Sequence, residues 1–238
     1  MVAADTRRSG PEVPFTGDQI RLSARCGCTD AGWMTAPDLF IDHFLPHPHF
    51  ELVRTTIVDA PVKDTYSAAR ELDFTDVQGG VVSAAGWLRA LPERWHNRRH
   101  GPPRRPTRMT ADDLDAGSEW TLLGDRPGAE FALGVAGKFW KPVITWRRVE
   151  SDDFAAFDEP GFGKLVMAVS VVPYGAHRAV LTVHTRVRMS DPESWLKFRR
   201  YWRIARPAIG SVHTALVRTV AVKARERALA AYTRTDQP

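Results

Sequence analysis

The sequence predicts an α+β fold in which a curved antiparallel sheet wraps around a long C-terminal helix. The first observation is an alternation of apolar and polar residues between Ala179 and Arg188, which is typical of a strand with one buried face. The second is an apolar stripe after Trp195 that recurs at steps of three or four residues for about seven turns. The third is a turn composition at residues 173–177 between two strand patterns, which predicts a hairpin.

The first patterned elements are a strand and two helices. Residues 51–58 are rich in Val, Ile and Thr and alternate, which predicts a strand. Pro61 suits the first position of a following helix because its missing N–H would have no partner there. Apolar residues at helical spacing run from Val62 to Leu72, and a second helical pattern within residues 80–95 ends near Pro92.

Antiparallel strands follow these helices. Residues 120–123 and 130–139 flank a turn composition of Asp, Pro and Gly, which predicts a hairpin. Gly134 and Gly137 lie inside its second arm and predict a bulge or sharp curvature there. A shorter strand is predicted over residues 144–149.

The clearest hairpin joins strands predicted at residues 164–172 and 178–188. The residues that share the predicted buried face of the second arm are Ala179, Leu181, Val183, Thr185 and Val187. The alternate face carries Thr182, His184 and Arg186, which we expect to point outward. If this face turned inward instead, His184 would be a polar group able to orient a ligand or move a proton.

The last helix opens on Ser190-Asp-Pro-Glu193, which supplies an Asp cap, a Pro in the first helical position and an acid in the first turn. Pro207 lies inside the apolar stripe and removes one backbone hydrogen bond, so we expect a kink there. The resulting order is a strand, two helices, antiparallel strands and one long helix. This is the order of a helix-grip fold.

Composition excludes several classes of protein. The chain has 238 residues, of which 43% are hydrophobic and 26% are charged, as in ordinary globular proteins. No apolar run approaches the roughly 20 residues of a membrane helix, and the first 30 residues lack the apolar segment of a secretory signal. Cys26 and Cys28 are the only cysteines and lie too close together for a disulfide framework. We therefore expect a cytoplasmic protein without a transmembrane segment.

The positive charge is concentrated in two segments. The formal net charge is +5, and residues 94–108 and 191–238 each carry +6. Such patches attract nucleic-acid phosphates, acidic lipid head groups or anionic ligands. A solvated loop and the outer face of a helix explain the same pattern. We expect at most a weak contact with anionic surfaces through Arg94–Arg108.

Three short motifs carry a resemblance to a known superfamily. They are Val58-Asp-Ala-Pro61, Trp146-Arg-Arg-Val149, and Asp191-Pro through Arg199-Arg-Tyr-Trp-Arg203 at the start of the last helix. With the order of elements, they make residues 50–228 similar to the START and birch-pollen-allergen superfamily, also called SRPBCC or polyketide cyclase/dehydrase-like, and above all to its bacterial members. The resemblance implies an apolar small molecule bound between the sheet and the long helix. Members of this superfamily include cyclases, hydrolases and lipid carriers.

The pattern divides the chain into three parts. Residues 1–48 mix Gly, Pro, Ser and Thr without a helical or strand period, which indicates an irregular N-terminal extension. Residues 49–228 form the predicted helix-grip domain, and residues 229–238 form a C-terminal tail. The extension and the basic segment 94–108 depart from the superfamily pattern.

Aromatic residues are the candidates for lining a ligand cavity. A curved sheet has a concave face too wide for one helix to fill, so space remains inside unless large side chains occupy it. The candidate ligand-binding residues are Trp87, Trp120, Phe131, Trp146, Met167, Trp195 and Trp202. Each is alternatively plain core, in which case its replacement by alanine costs about 3–5 kcal/mol. A lining residue contributes less to stability and more to binding.

The predicted function is the binding of a hydrophobic small molecule or lipid in this cavity. An enzyme of the cyclase/dehydratase or hydrolase type in the same cavity is an alternative, and it needs two convergent titratable groups. A basic module that binds an anionic surface is a third. No catalytic residue and no cofactor is predicted. His43, His47 and His49 lie close to Asp42, but their spacing matches no standard zinc site, so no metal site is predicted either.

Overall fold

The computed structural model describes residues 38–74, 77, 110–117 and 119–235. The helices and strands in chain order are α1 (Phe40–Phe44), β1 (Phe50–Val58), α2 (Val62–Arg70), α3 (Ala111–Gly117), β2 (Thr121–Arg126), β3 (Glu130–Gly137), β4 (Trp146–Arg147), α4 (Ser151–Phe154), β5 (Gly163–Pro173), β6 (Ala179–Met189) and α5 (Pro192–Thr235). The helix predicted within residues 80–95 and the basic segment 94–108 lie outside the described residues.

The strands form one antiparallel sheet in the order β1-β6-β5-β3-β2, with β4 paired to β3. Both predicted hairpins are confirmed, since β2 pairs with the first part of β3 and β5 pairs with β6 over its whole length. The strand predicted over residues 144–149 is only two residues long, Trp146–Arg147. The sheet is open, with β1 at one edge.

Each face of the sheet is covered by helices. On the inner face, Phe131, Val169 and Val183 lie in register and pack with α2 and with the second half of α5. On the outer face, Val166 and Ala168 pack with α1 and α4. The alternation predicted for β6 is confirmed, because every odd-numbered residue from Ala179 to Met189 is buried.

The long helix α5 lies against α2, β1 and β6. Its start is as predicted, since Pro192 is the first helical residue and Asp191 Oδ1 accepts a hydrogen bond from the Ser194 N–H at 2.8 Å. The helix continues past Pro207 to Thr235, so it includes much of the segment predicted as a C-terminal tail. The kink at Pro207 stays a prediction. Among the described helices, none combines the length and apolarity that a membrane crossing requires.

The compact unit of the fold begins at Asp38, eleven residues before the predicted start of the domain at residue 49. Ile41, Phe44 and Leu45 are buried and form the outer cluster together with Leu123, Ala132, Ala136, Val149, Phe154, Val166 and Ala168. The five-residue helix α1 is too short to show a helical period in the sequence. Residues 38–48 are therefore a structural layer over the outer face of the sheet.

A bulge lies in β2, the hairpin partner of the strand for which a bulge or sharp curvature was predicted. The register between β2 and β3 shifts between Leu122 and Gly124, so Leu123 is the extra residue. A Cβ added at Gly134 would lie 2.7 Å from the side chains of both Leu123 and Phe154. The absence of a side chain at Gly134 therefore lets Leu123 and Phe154 pack close to the backbone of β3. The pairing of β3 with β5 has no register shift.

Replacing Gly134 with alanine is expected to lower the free energy of unfolding by about 1–3 kcal/mol, because the new methyl group overpacks the outer cluster. Gly210 inside α5 is the matched control, since its added Cβ would lie 3.4 Å from the end of the Arg54 side chain. Alanine there is expected to raise stability by up to about 1 kcal/mol. Urea denaturation of both variants measures the two changes, and an unaltered Gly134→Ala protein would contradict the packing described.

Candidate functional site

Two apolar clusters meet on the inner face of the sheet. The α2 cluster includes residues of α2, the inner strands and the second half of α5, among them Tyr66, Phe131 and Val183. The Trp202 cluster joins the start of α5 to β1, β3 and β6 and is built from Leu52, Val135, Phe139, Val187, Met189, Phe198 and Trp202. On β6, Thr185 lies between Val183 of the first cluster and Val187 of the second. A polar residue thus occupies the boundary between the two clusters.

Thr185 pairs with a histidine of α5 at this boundary. Thr185 Oγ1 and His213 Nε2 are 3.1 Å apart, and the two residues are only 3% and 4% exposed. The other ring nitrogen, Nδ1 of His213, is buried and has no hydrogen-bond partner among the described residues. A buried polar atom without a partner costs about 1–3 kcal/mol, so this nitrogen marks a place where a ligand atom would be stabilising.

The histidine is neutral at physiological pH. Burial is the largest cause that lowers the pKa of His213, and the positive charge of Arg54 adds to it, so the pKa falls from 6.5 to about 4. A neutral imidazole has one donor and one acceptor nitrogen. Nδ1 therefore accepts or donates one hydrogen bond according to the tautomer that the Thr185 hydroxyl selects.

Arg54 places an exposed positive charge at the edge of the region around Thr185 and His213. It lies on the inner face of β1, opposite Val183 of β6. A Cβ at Gly210 would lie 3.4 Å from its Nη2 atom, so the guanidinium reaches α5 where that helix has no side chain. Its charge acts on His213, three residues further along the helix.

Partly exposed apolar side chains surround the Thr185–His213 pair. Met167 lies directly opposite both Thr185 and Leu133 in the sheet. The partly buried residues packed against the two clusters here include Trp120, Leu122, Leu165, Met167 and Ile209. Among the described residues, α5 contacts β1 and β6, whereas α2 contacts mainly β5, and Leu165 and Met167 on the inner face of β5 keep partial exposure. The surface is apolar with one polar centre, which is the character of a small-molecule site.

Five of the seven sequence-predicted residues lie in or beside these two clusters. Phe131 is buried in the α2 cluster and Met167 packs against it, while Trp120 packs against both clusters. Trp202 is 8% exposed in the Trp202 cluster, with its ring 5.7 Å from that of Phe198. Trp195 packs at the edge of the same cluster.

The other two predicted residues are not placed in this interior. Trp87 lies outside the described residues. Trp146 lies on the short strand β4, is 38% exposed and contacts Phe139 edge-on at 6.0 Å. It lies beside Gly137 at the end of β3, because β4 pairs only with the last two residues of that strand. Its residue type alone could not predict that Trp146 lies on this short, exposed strand.

Two of the histidines considered as polar or metal-binding groups, His184 and His49, form side-chain hydrogen bonds with residues of the sheet. The predicted outward position of His184 is confirmed, since its Nε2 lies 2.5 Å from Glu51 Oε1, and the inward position is wrong. Asp42 pairs with Arg186 at 2.6 Å. His49 Nδ1 accepts a hydrogen bond from the Met189 N–H at 3.1 Å. Within the part of the chain that the structure describes, no three such residues come together as metal ligands would.

Sequence reasoning missed His213 and a polar network at the end of the α2 cluster. His213 follows Ile209 by four residues and precedes Leu216 by three, so its place on the apolar stripe was the available signal. In the network, Asp125 accepts hydrogen bonds from the Tyr66 hydroxyl and from Arg70 Nε. Burial and the neighbouring carboxylate raise the pKa of Tyr66, which keeps its phenol protonated. No local sequence motif predicts these contacts, because the network joins two elements that are far apart in the sequence, α2 and the end of β2.

An open antiparallel sheet with a long C-terminal helix across its inner face defines a helix-grip α+β protein. The element order agrees with the superfamily resemblance drawn from the sequence.

Solved structures similar to this chain include norcoclaurine synthase from Thalictrum flavum, at 11% identity over 72% of this chain and 84% of that one, with a TM-score of 0.33. The di-domain ARO/CYC protein BexL of the BE-7585A biosynthetic pathway is 16% identical over 72% of this chain and 46% of its own, with a TM-score of 0.32. A protein from Thermobifida fusca is 15% identical over 73% of this chain and 94% of its own, with a TM-score of 0.31. No family model and no curated protein sequence matches the chain. At these TM-scores the likenesses add no argument about ligand or reaction.

Proposed function

We propose that this protein binds a small, largely apolar molecule on the inner face of the sheet, between β5 and α5, with one polar atom of the ligand bonded to His213. The observation that carries the proposal is the buried Nδ1 atom of His213, which lacks a partner among the described residues. A ligand hydroxyl or carbonyl group suits it, since the first both donates and accepts and the second accepts. The partly exposed Met167, Leu165 and Trp120 supply the apolar contacts.

The energetic balance favours a mainly apolar ligand. Each 100 Å² of apolar surface removed from water contributes roughly 2.5 kcal/mol, and one hydrogen bond contributes about 1 kcal/mol net. The single polar centre therefore orients the ligand, while the apolar contacts provide most of the affinity. A strongly charged ligand is disfavoured because the described inner face around Thr185 offers no ion-pairing group apart from Arg54 at its rim.

Binding is favoured over catalysis by the chemistry of the same residues. General acid–base work needs groups that exchange protons near the working pH. The pKa of about 4 leaves His213 neutral at pH 7, and its Nε2 atom is bonded to a threonine hydroxyl rather than to a carboxylate. The cyclase or hydrolase alternative needs a second titratable group at this place, which the described residues do not bring into hydrogen-bonding distance of His213.

Titration with N-phenyl-1-naphthylamine, an uncharged probe that fluoresces in apolar surroundings, tests the proposal. The protein is expected to bind the probe saturably at one site. Met167→Trp is expected to weaken that binding at least tenfold, because the larger side chain fills the surface beside Thr185.

Ile57→Trp is the matched control for this titration, since Ile57 is 47% exposed on the opposite side of the edge strand β1. Its probe affinity should equal that of the natural chain. Thermal unfolding of both variants verifies that they are folded. Equal weakening in both variants, or fluorescence that rises without saturation, contradicts the proposed site.

Contact with anionic surfaces through Arg94–Arg108 stays a prediction, because that segment lies outside the described residues. The start of α5 supports a contact of this kind by the helix itself. Ile204 is 83% exposed there and is preceded by the exposed Arg200 and Arg203, a combination that suits anionic lipid. Sedimentation with anionic vesicles that is lost between low and physiological salt would support this contact, and salt-independent sedimentation would not.

A further inference from the structure

A pocket lies on the outer face of the sheet, the face opposite the one that carries Thr185. It has a volume of about 200 Å³ and is enclosed by the end of α1, the segment after α4, and the first residues of β5 with the last of β6. Its apolar wall includes Phe44, Leu45, Pro46 and Phe157. The charged side chains that line it are Lys164, Arg188 and Asp158.

Two cations stand side by side in this pocket. Lys164 and Arg188 are direct register partners in the antiparallel pair β5–β6, so their side chains share the outer face. Like charges placed directly opposite each other in a sheet are destabilising. Among the described residues no carboxylate lies within the 4.0 Å of an ion pair with either cation. Asp158 is exposed and acts on Lys164 only from a longer distance.

The known contacts of the two side chains leave donors available. The ammonium of Lys164 donates to the carbonyl oxygens of Phe154 at 3.1 Å and Ala155 at 2.7 Å, which uses two of its three hydrogens. The Arg188 Nη1 atom donates to the His47 carbonyl oxygen at 3.2 Å. These carbonyl contacts hold Lys164 and Arg188 in place but do not neutralise them.

Burial makes the cation pair costly. Lys164 is only 6% exposed, and desolvation, followed by the charge of Arg188, lowers its pKa. Binding the last carbonyls of α4 accounts for the position of Lys164, but it does not account for a second cation opposite it. An anion in the pocket would offset both the cost of desolvating Lys164 and the repulsion between Lys164 and Arg188.

We propose that this pocket binds a small organic carboxylate. The carboxylate oxygens would meet the guanidinium of Arg188 and the ammonium of Lys164, and the apolar part of the ligand would lie on Phe44, Pro46 and Phe157. The pocket is smaller than most drug-sized sites, which favours a ligand whose buried part is small. Asp158 at the rim favours a single negative charge over the doubly charged form of inorganic phosphate.

Isothermal titration with benzoate, benzamide and inorganic phosphate at one fixed ionic strength tests this proposal. Benzoate is expected to bind saturably, and benzamide, which has the same shape without the charge, is expected not to bind in the same concentration range. Phosphate is expected to bind more weakly than benzoate. Equal binding of benzoate and benzamide, or tighter binding of phosphate, would overturn the carboxylate assignment.

Arg188→Gln carries the mutational test, because a Lys164 variant loses two structural hydrogen bonds and risks misfolding. It is expected to weaken benzoate binding at least tenfold. Arg178→Gln is the matched control, since Arg178 is exposed at the other end of the same hairpin and stacks on Tyr174. Equal benzoate affinity in the two variants would refute the pocket. The Arg188→Gln protein should bind N-phenyl-1-naphthylamine as the natural chain does, so this test and that of the inner-face site fail independently.

Discussion

Replacing Phe198 with alanine is expected to lower the free energy of unfolding by about 3–5 kcal/mol. Phe198 is 2% exposed, and its ring lies 4.9 Å from that of Phe50 and 5.7 Å from that of Trp202. These contacts join the first turns of α5 to the edge strand β1. The variant removes the most buried ring of that junction and leaves a cavity, while Trp195 and Trp202 still contact Phe50.

Leu196→Ala provides the comparison for this prediction. Leu196 lies two residues earlier in the same helix and is 50% exposed, so its replacement should change stability by no more than about 0.5 kcal/mol. Urea denaturation followed by circular dichroism measures both variants. If the two substitutions had similar effects, the packing of α5 on β1 would be wrong.

Acidification is expected to destabilise the protein through His213. Its pKa is 6.5 in the unfolded chain and about 4 in the folded protein, so between these values the unfolded state binds more protons. Stability from this group is fully present above pH 6.5 and is lost as the pH falls toward 4. At 1.36 kcal/mol for each unit of pKa, the loss amounts to about 3 kcal/mol.

A His213→Leu variant isolates that contribution from the other groups that titrate in this range. The difference in unfolding free energy between pH 7.5 and pH 4 should be smaller in His213→Leu than in the natural chain by about 3 kcal/mol. His177→Leu is the control, because His177 is exposed in the turn between β5 and β6. An identical pH dependence for all three proteins would show that His213 is not held neutral by burial.

The sequence predicted the elements whose signals are local and long. The alternation in β6 persists over 11 residues, and the cap at Asp191 fixes the start of α5, so the faces of β6 and the start of α5 were predicted correctly, whereas α5 continues to Thr235. α1 was missed because five residues give no period, and its burial depends on Arg186 and the outer face of distant strands. A bulge or sharp curvature was predicted at Gly134 and Gly137 because a glycine in a strand indicates a bulge, curvature or close packing without showing which of them applies.

The candidate site was harder to predict from the sequence than the fold was. Aromatic side chains serve equally as core and as lining, so residue type did not separate the interior Trp202 from the exposed Trp146. The pairing of Thr185 with His213 spans 28 residues and arises only when α5 crosses β6. His213 occupies an apolar stripe, where a histidine is easily overlooked although burial is what gives it an unusual pKa.

The methyl resonances of methionine provide the most direct measurement of the inner-face site. The chain has five methionines; Met167 lies beside Thr185, whereas Met189 is 2% exposed within the Trp202 cluster. With methyl-labelled methionine and assignments from single Met→Leu variants, N-phenyl-1-naphthylamine should shift the Met167 signal saturably and leave Met189 unmoved. A saturated probe that does not alter the Met167 signal, or that shifts Met189 equally, would contradict a ligand site between β5 and α5.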